Sequence, residues 1–232
     1  MPDQPVYQHL PPQATQSRVE KLAALRATLK ERGADWHFIA TLDDIAWLFN
    51  LRGADVSFNP VFVSFALISQ QQATLFVALS KVDEALRAQL EVDGVSLRDY
   101  SEVSAALQAV PEGVALQIDP ARVTAGLLEH LNPGVKLLEG LNPTTLAKSR
   151  KSLADAEHIR QAMEQDGAAL CEFFAWLDSA LGRERITELT IDERLTAARE
   201  QRPGYVSLSF NTIAAFNANG AIAARAVVSQ RV

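Results

Sequence analysis

Trp36-His37-Phe38-Ile39-Ala40-Thr41-Leu42-Asp43-Asp44-Ile45-Ala46-Trp47-Leu48-Phe49 is the stretch that decides the fold. Its first five residues form a short, bulky apolar run suited to a buried strand. Thr41, with Asp44 three residues on, reads as a capping box that opens a short helix through Phe49. A buried strand feeding directly into a helix is the beginning of an α/β arrangement. The alternation continues on both sides. Upstream, Ser17 and Glu20 form another capping box. Val19, Leu22, Leu25 and Leu29 make a helical stripe with Arg18, Lys21 and Arg26 on its polar side, and Gly33 closes the helix. Downstream, Val61–Ile68 and Ala73–Leu79 read as a two-stranded hairpin. Helix is expected at Lys81–Leu90, strand at Val95–Leu97, helix at Glu102–Leu107 and strand at Val114–Ile118. Helix at Val123–Leu131 and strand at Val135–Leu138 follow. The pattern predicts a mixed sheet covered by helices, ending at the turn signal Asn142-Pro143.

The two ends behave differently. Residues 1–16 carry Pro2, Pro5, Pro11 and Pro12 among glutamines, which suits an extended arm or interdomain linker. After the α/β domain, placed at 17–143, the periodicity changes. Ser152 and Asp155 open a long helix whose apolar positions are Ala156, Ile159, Met163, Leu170, Phe174, Leu177 and Leu181, with Gly182 as its stop. A second helix fits Glu188–Arg199, and strand patterning returns at Tyr205–Leu208. Residues 144–232 therefore form a second, incomplete-looking domain.

A net charge of −6 over 232 residues argues against a mainly electrostatic nucleic-acid or anionic-membrane role. The one basic run, Lys148-Ser149-Arg150-Lys151, reads as a solvated connector. A single cysteine excludes an intramolecular disulfide and a thiolate metal pair. Without a basic-then-apolar leader or a run of eighteen apolar residues, a cytoplasmic location is expected.

Chemistry-bearing residues are sparse. His9 lies in the arm, His37 in a strand between two aromatics, His130 near a helix end and His158 one turn from Asp155; none has the partners of a metal site. His37 reads as a packed histidine, Asp43-Asp44 as helix N-terminal acids, and Cys171 as a buried, inert thiol. Ser207 and Ser209 lack a nucleophile-elbow context, and no phosphate-binding glycine motif is present.

Several motifs carry a resemblance. Leu42-Asp43-Asp44-Ile45-Ala46-Trp47-Leu48-Phe49-Asn50-Leu51-Arg52-Gly53-Ala54-Asp55, followed by Asn59-Pro60-Val61-Phe62, is similar to the signature of the middle domain of three-domain Xaa-Pro aminopeptidases (aminopeptidase P). Leu141-Asn142-Pro143, Asp166-Gly167-Ala168-Ala169-Leu170, Phe174-Ala175-Trp176-Leu177 and Thr187-Glu188 resemble that family's linker and the opening helices of its catalytic domain. Ser207–Ile213 and Asn219-Gly220-Ala221-Ile222 continue the match.

The resemblance implies a creatinase-N-terminal-like mixed-sheet domain followed by the first part of a pita-bread α+β peptidase domain. It implies removal of the N-terminal residue preceding proline. It also implies two divalent metals, with manganese the expected ion, held by two Asp, one His and two Glu that follow a His-Tyr pair. After Ile222 this chain departs from the pattern, and 223–232 match nothing in it. The expectation is a fragment, truncated at both ends, that binds no metal, has no catalytic residue of its own and is inactive alone. The alternative is a non-catalytic binding or oligomerisation module, forming a homodimer or pairing with an intact homologue or a separate C-terminal peptidase half. Peptide substrate is expected only in the intact enzyme. Phe210, Asn219 and Gly220 match positions of the substrate-pocket wall, or else serve ordinary packing and a turn. Arg52 and Asp55 match an interdomain or dimer contact, or else form a salt bridge around Gly53.

Overall fold

A computed structural model describes residues 2–216, which divide into two compact units separated between Ser152 and Leu153. The first contains strands β1 (Tyr7–Gln8), β2 (Trp36–Ile39), β3 (Leu51–Arg52), β4 (Ser64–Ser69), β5 (Ala73–Val77), β6 (Ser96–Arg98), β7 (Ala115–Ile118) and β8 (Lys136–Glu139). Its helices are α1 (Arg18–Glu31), α2 (Leu42–Leu48), α3 (Glu84–Val92), α4 (Val103–Gln108), α5 (Ala125–Leu128) and α6 (Pro143–Ser149). The second holds α7 (Leu153–Ala180) and α8 (Glu188–Glu200). No helix among the described residues is long and apolar enough to cross a membrane.

The main sheet has the order β6-β5-β4-β2-β7-β8. β4 is antiparallel to both neighbours, whereas β2–β7, β7–β8 and β5–β6 pair in parallel. This is the expected mixed sheet. Alternation along the strands fills both faces, because successive strand side chains point to opposite sides. Ile39, Ala66, Ile68, Leu75 and Val77 join α1, α2 and α3 in one core. Phe38, Leu67, Phe76, Leu116 and Ile118 join α4 in the other.

Two short strands and one helix lie outside the sequence expectation. Residues 2–16 run along the first unit: β1 pairs antiparallel with β3, the Val6 amide donates to the Lys81 carbonyl, and Val6 and Ala14 are buried. Two-residue strands are too short for periodicity to reveal. Pro143, expected only to turn the chain, occupies the first turn of α6, where its missing N–H costs nothing. The α5 helix contracts to a single turn.

The first helix also differs on its flank. Its capping box forms as expected. Val19, however, is exposed, while Arg18 and Lys21 are buried. Both cations reach the C-terminal end of α2, where backbone carbonyls lack helical partners. The Lys21 ammonium donates to the Trp47 carbonyl at 2.9 Å and to Asn50 Oδ1 at 2.6 Å, 4.4 Å from the Trp47 ring centre. Arg18 donates to the Phe49 carbonyl at 2.6 Å and pairs with Asp93. A hydropathy pattern assigns these side chains to solvent; the exposed carbonyls of a neighbouring helix draw them in.

In the second unit α7 and α8 pack in opposite directions. Arg199 reaches Asp166 at 2.7 Å, Arg202 pairs with Glu172, and the Arg194 guanidinium lies 5.0 Å from the Trp176 ring centre. Gly182 closes α7 at φ +74°, a conformation that strains any side-chain-bearing residue. The inward stripe is Ala169, Phe173 and Ala180, rotated from the expected one. Met163, Phe174 and Leu181 are therefore exposed, and so is Cys171, which the sequence reading had buried. Residues 205–208 form no strand; no partner strand lies beside them among the described residues.

Replacing Lys21 by Met keeps its apolar stem but strips two buried acceptors of their donor. Urea unfolding of K21M is expected to show a loss of about 1–3 kcal/mol, and of R18M about 2–4 kcal/mol because the ion pair with Asp93 is lost along with the Phe49 hydrogen bond. V19A, at the position that sequence periodicity favours, should stay within about 0.5 kcal/mol of the parent.

Candidate functional site

The segment 42–55 supplies the densest set of polar side chains in the first unit, and each has an identifiable task. The expected Thr41–Asp44 capping box does not form. Thr41 makes no side-chain cap and instead donates its hydroxyl to Asp44 Oδ2 at 2.7 Å. Asp44 is 1% exposed and accepts a second hydroxyl, from Thr145 of α6, at 2.6 Å. The Asn142 amide lies 3.4 Å from the same oxygen, and the Lys148 ammonium 3.0 Å from Oδ1. Burial pushes the Asp44 carboxyl pKa upward, but the Thr145 and Thr41 hydroxyls and the Lys148 cation outweigh it and hold the pKa below 3.8. Lys148, read from sequence as part of a solvated connector, thus pairs with Asp44 and with Asp43.

The other end of α2 is equally constrained. Asn50 follows the C-cap at φ 51°, a left-handed conformation that asparagine tolerates. Its amide nitrogen donates to the Gln16 carbonyl at 2.8 Å, fastening the arm, while its oxygen accepts Lys21. Arg52 donates to the Ala46 and Leu51 carbonyls at 3.0 and 2.8 Å. The salt bridge considered for Arg52 and Asp55 is not what the structure shows. Asp55 pairs with the buried Lys81 and accepts the Val63 amide at 2.6 Å. Between them, Gly53 lies so close to Phe62 that an added Cβ would meet Phe62 Cβ at 2.8 Å.

The histidines do not converge. His37 is fully buried in β2, and its Nδ1 lies 2.9 Å from the Gln117 carbonyl. A carbonyl only accepts, so Nδ1 carries the proton in the neutral ring and Nε2 presents a bare lone pair with no hydrogen-bond partner. Burial pushes the His37 pKa down to about 4, against the opposing pull of the Gln117 carbonyl and the Asp44 charge. His9, beside Arg52 and Lys21, is likewise lowered to about 4, mainly by burial.

Among the described residues, no three His, Cys, Asp or Glu side chains come together in a group able to hold a metal ion. They therefore do not fit a two-metal centre. Phe210 is 63% exposed; Asn219 and Gly220 lie outside the described residues. Sequence reading missed Arg18, Lys21, Asn142, Thr145 and Lys148, whose side chains meet partners 26 to 105 residues distant, beyond any local motif.

These features have counterparts in known proteins. Residues 1–155 match the creatinase/prolidase N-terminal domain, and residues 157–231 match metallopeptidase family M24. The chain belongs to the creatinase/prolidase N-terminal domain family, and its second unit enters the M24 fold. It is 38% identical over 208 residues to Xaa-Pro aminopeptidase 1 of Dictyostelium discoideum, covering 88% of this chain and 33% of that protein. It is 37% identical over 211 residues to a probable Xaa-Pro aminopeptidase P of Botryotinia fuckeliana, covering 87% and 32%. Among solved structures it superposes with TM-score 0.84 on an X-prolyl aminopeptidase of Caenorhabditis elegans, described as a cytosolic enzyme with a di-nuclear active site. That match has 27% identity and covers 91% of this chain and 35% of the other. The chain spans about a third of the length of the curated relatives it matches.

The depressed His37 pKa has a thermodynamic consequence. The unfolded chain takes up a proton at 6.5 and the folded ring only near 4, so stability falls as pH drops through that window. Urea unfolding should show the parent losing about 3 kcal/mol more than H37Q between those limits. Parallel stability–pH curves would contradict this assignment; the contribution of His9 is common to both proteins.

Proposed function

We infer that this chain is part of an Xaa-Pro aminopeptidase, a metal-dependent enzyme that removes the N-terminal residue preceding proline, and that by itself it does not hydrolyse peptides. The observation that carries the first half is the 38% identity to Xaa-Pro aminopeptidase 1, extending over 88% of the chain and hence into both units. Inactivity is supported by the donor inventory of the described residues, which provides no metal cluster. The two divalent metals, manganese by expectation, would sit on residues contributed from elsewhere in the intact enzyme, and no catalytic step is assigned to the residues described. Phe210, Asn219 and Gly220 would form part of the substrate-pocket wall there; the exposure of Phe210 agrees with a surface awaiting cover. A cytoplasmic location accords with the cytosolic nematode enzyme.

A second reading has its own support: a non-catalytic module that forms a homodimer or pairs with an intact homologue or a separate C-terminal half. Ile159, Met163, Phe174 and Leu181 leave apolar surface open on the second unit. On the first, the loop after Arg52 exposes Val56 and Phe58 at its tip. Arg52 and Asp55 would serve an interdomain or dimer contact by shaping this loop, since both side chains are engaged within the unit.

The test is release of the N-terminal residue from a short Xaa-Pro peptide by the purified chain with manganese, against a chelator control. No turnover is expected. Turnover that is abolished by chelator and co-purifies with this chain would overturn the inactivity and place a metal site within it.

A further inference from the structure

Five of the six strands in the main sheet point the same way, because β4 alone is antiparallel to its neighbours. From β2 the chain builds outward through β4, β5 and β6, then crosses by α4 to β7 on the other side of β2. That reversal is a topological switch. In open α/β sheets the crevice beyond the carboxyl ends of the strands at such a switch is the natural ligand position.

A cavity of about 520 Å³ occupies this place. Its walls come from residues that follow three of the co-directional strands: Ala40 after β2, Tyr100 to Ser104 after β6, and Arg122 to Leu127 after β7, with Phe65 of β4 beneath. One side is aromatic. Phe65 stacks on Tyr100 with ring centres 5.0 Å apart and on the buried Phe38 at 5.7 Å, with 25° between planes in both pairs. The other side is cationic and hydroxylic. Arg122 makes no ion pair among the described residues, and the Thr124 hydroxyl caps no helix. No Asp or Glu lines the crevice. The nearest acids in sequence are occupied: Asp99 accepts Ser101, Glu102 accepts Arg98 at 2.7 Å, and the buried Asp119 accepts the Ala121 amide at 3.1 Å.

We propose that this crevice binds a small aromatic carboxylate, its ring against the Phe65–Tyr100 pair and its carboxylate on the Arg122 guanidinium and the Ser104 and Thr124 hydroxyls. A planar apolar face beside an unpaired guanidinium selects such a ligand over a purely apolar or a cationic one, since arginine's fork matches a carboxylate in two hydrogen bonds. The site belongs to the first unit and is independent of peptide hydrolysis. The ligand can be a free aromatic acid or the C-terminal residue of a peptide, which share this chemistry.

The test titrates N-acetyl-phenylalanine, and separately its neutral amide, into the isotopically labelled full chain while backbone amide shifts are followed. Saturable shifts at Tyr100, Ser104 and Thr124 are expected, with a dissociation constant on the order of 0.1–1 mM. The amide should bind at least about fivefold more weakly. Arg122→Gln should erase the acid-over-amide preference, and Tyr100→Ala should weaken both ligands about tenfold. Unchanged melting of Arg122→Gln would show that the fold is intact. A tetrapeptide ending in phenylalanine that binds more tightly than the N-acetyl acid assigns the crevice to chain ends, and weaker binding assigns it to free acids. Absence of saturation by about 10 mM, or equal binding of acid and amide to the parent chain, overturns the proposal.

Discussion

Asp44 is a carboxylate taken almost completely out of water, and the first unit is organised around keeping it charged. Removing a carboxylate from solvent costs several kcal/mol, so it survives as an ion only where hydrogen bonds and an opposite charge replace its hydration. Those replacements come from Thr41 immediately before α2 and from Asn142, Thr145 and Lys148 at the far end of the unit. The interaction therefore closes a loop of about a hundred residues, fastening α6 to the helix that follows the central strand. Apolar packing fills the two faces of the sheet, but it does not specify how the closing helix is seated. The carboxylate does.

The opposite end of α2 meets the same requirement in reverse. Its terminal carbonyls need donors, and three cations supply them: Lys21 to Trp47, Arg18 to Phe49 and Arg52 to Ala46. Acid at the N-terminal end and base at the C-terminal end both agree with the helix dipole. A seven-residue helix, too short to be stable alone, is thus held at each end by charged side chains from elsewhere. Asn50, Gly53 and Asp55 extend the same function into the following loop, through a left-handed turn, a close backbone approach and a buried ion pair with Lys81. The stretch that most resembles the aminopeptidase signature is consequently a structural fastening. Its residue types are demanded by geometry, without reference to catalysis.

Much of this architecture was legible in the amino-acid sequence, for reasons that also explain what was not. The Ser17–Glu20 box, the β4–β5 hairpin and the long helix ended by Gly182 are local patterns, complete within a few residues. The Thr41–Asp44 spacing is equally local and misled, because Asp44 was engaged by groups a hundred residues away. Arg18 and Lys21 looked solvated because hydropathy counts a cation as polar, whatever carbonyls lie across from it. On α7 the period was right and the phase wrong: pairing with α8 turned Ala169 and Phe173 inward and left Phe174 and Cys171 outside. The crevice beside Phe65, Tyr100 and Arg122 left no sequence signal at all, since its walls come from three separate strand ends brought together by topology.

The seating of α6 depends on its acting as one unit with Asp44. A double-mutant cycle with Asp44→Ala and Thr145→Val, measured by urea unfolding of the whole chain, tests this directly. The buried carboxylate–hydroxyl bond predicts a coupling of about 1–2 kcal/mol between the two sites. Single-site losses that add to within about 0.3 kcal/mol would show that the two residues stabilise the domain independently, and the fastening role assigned to Asp44 would be wrong.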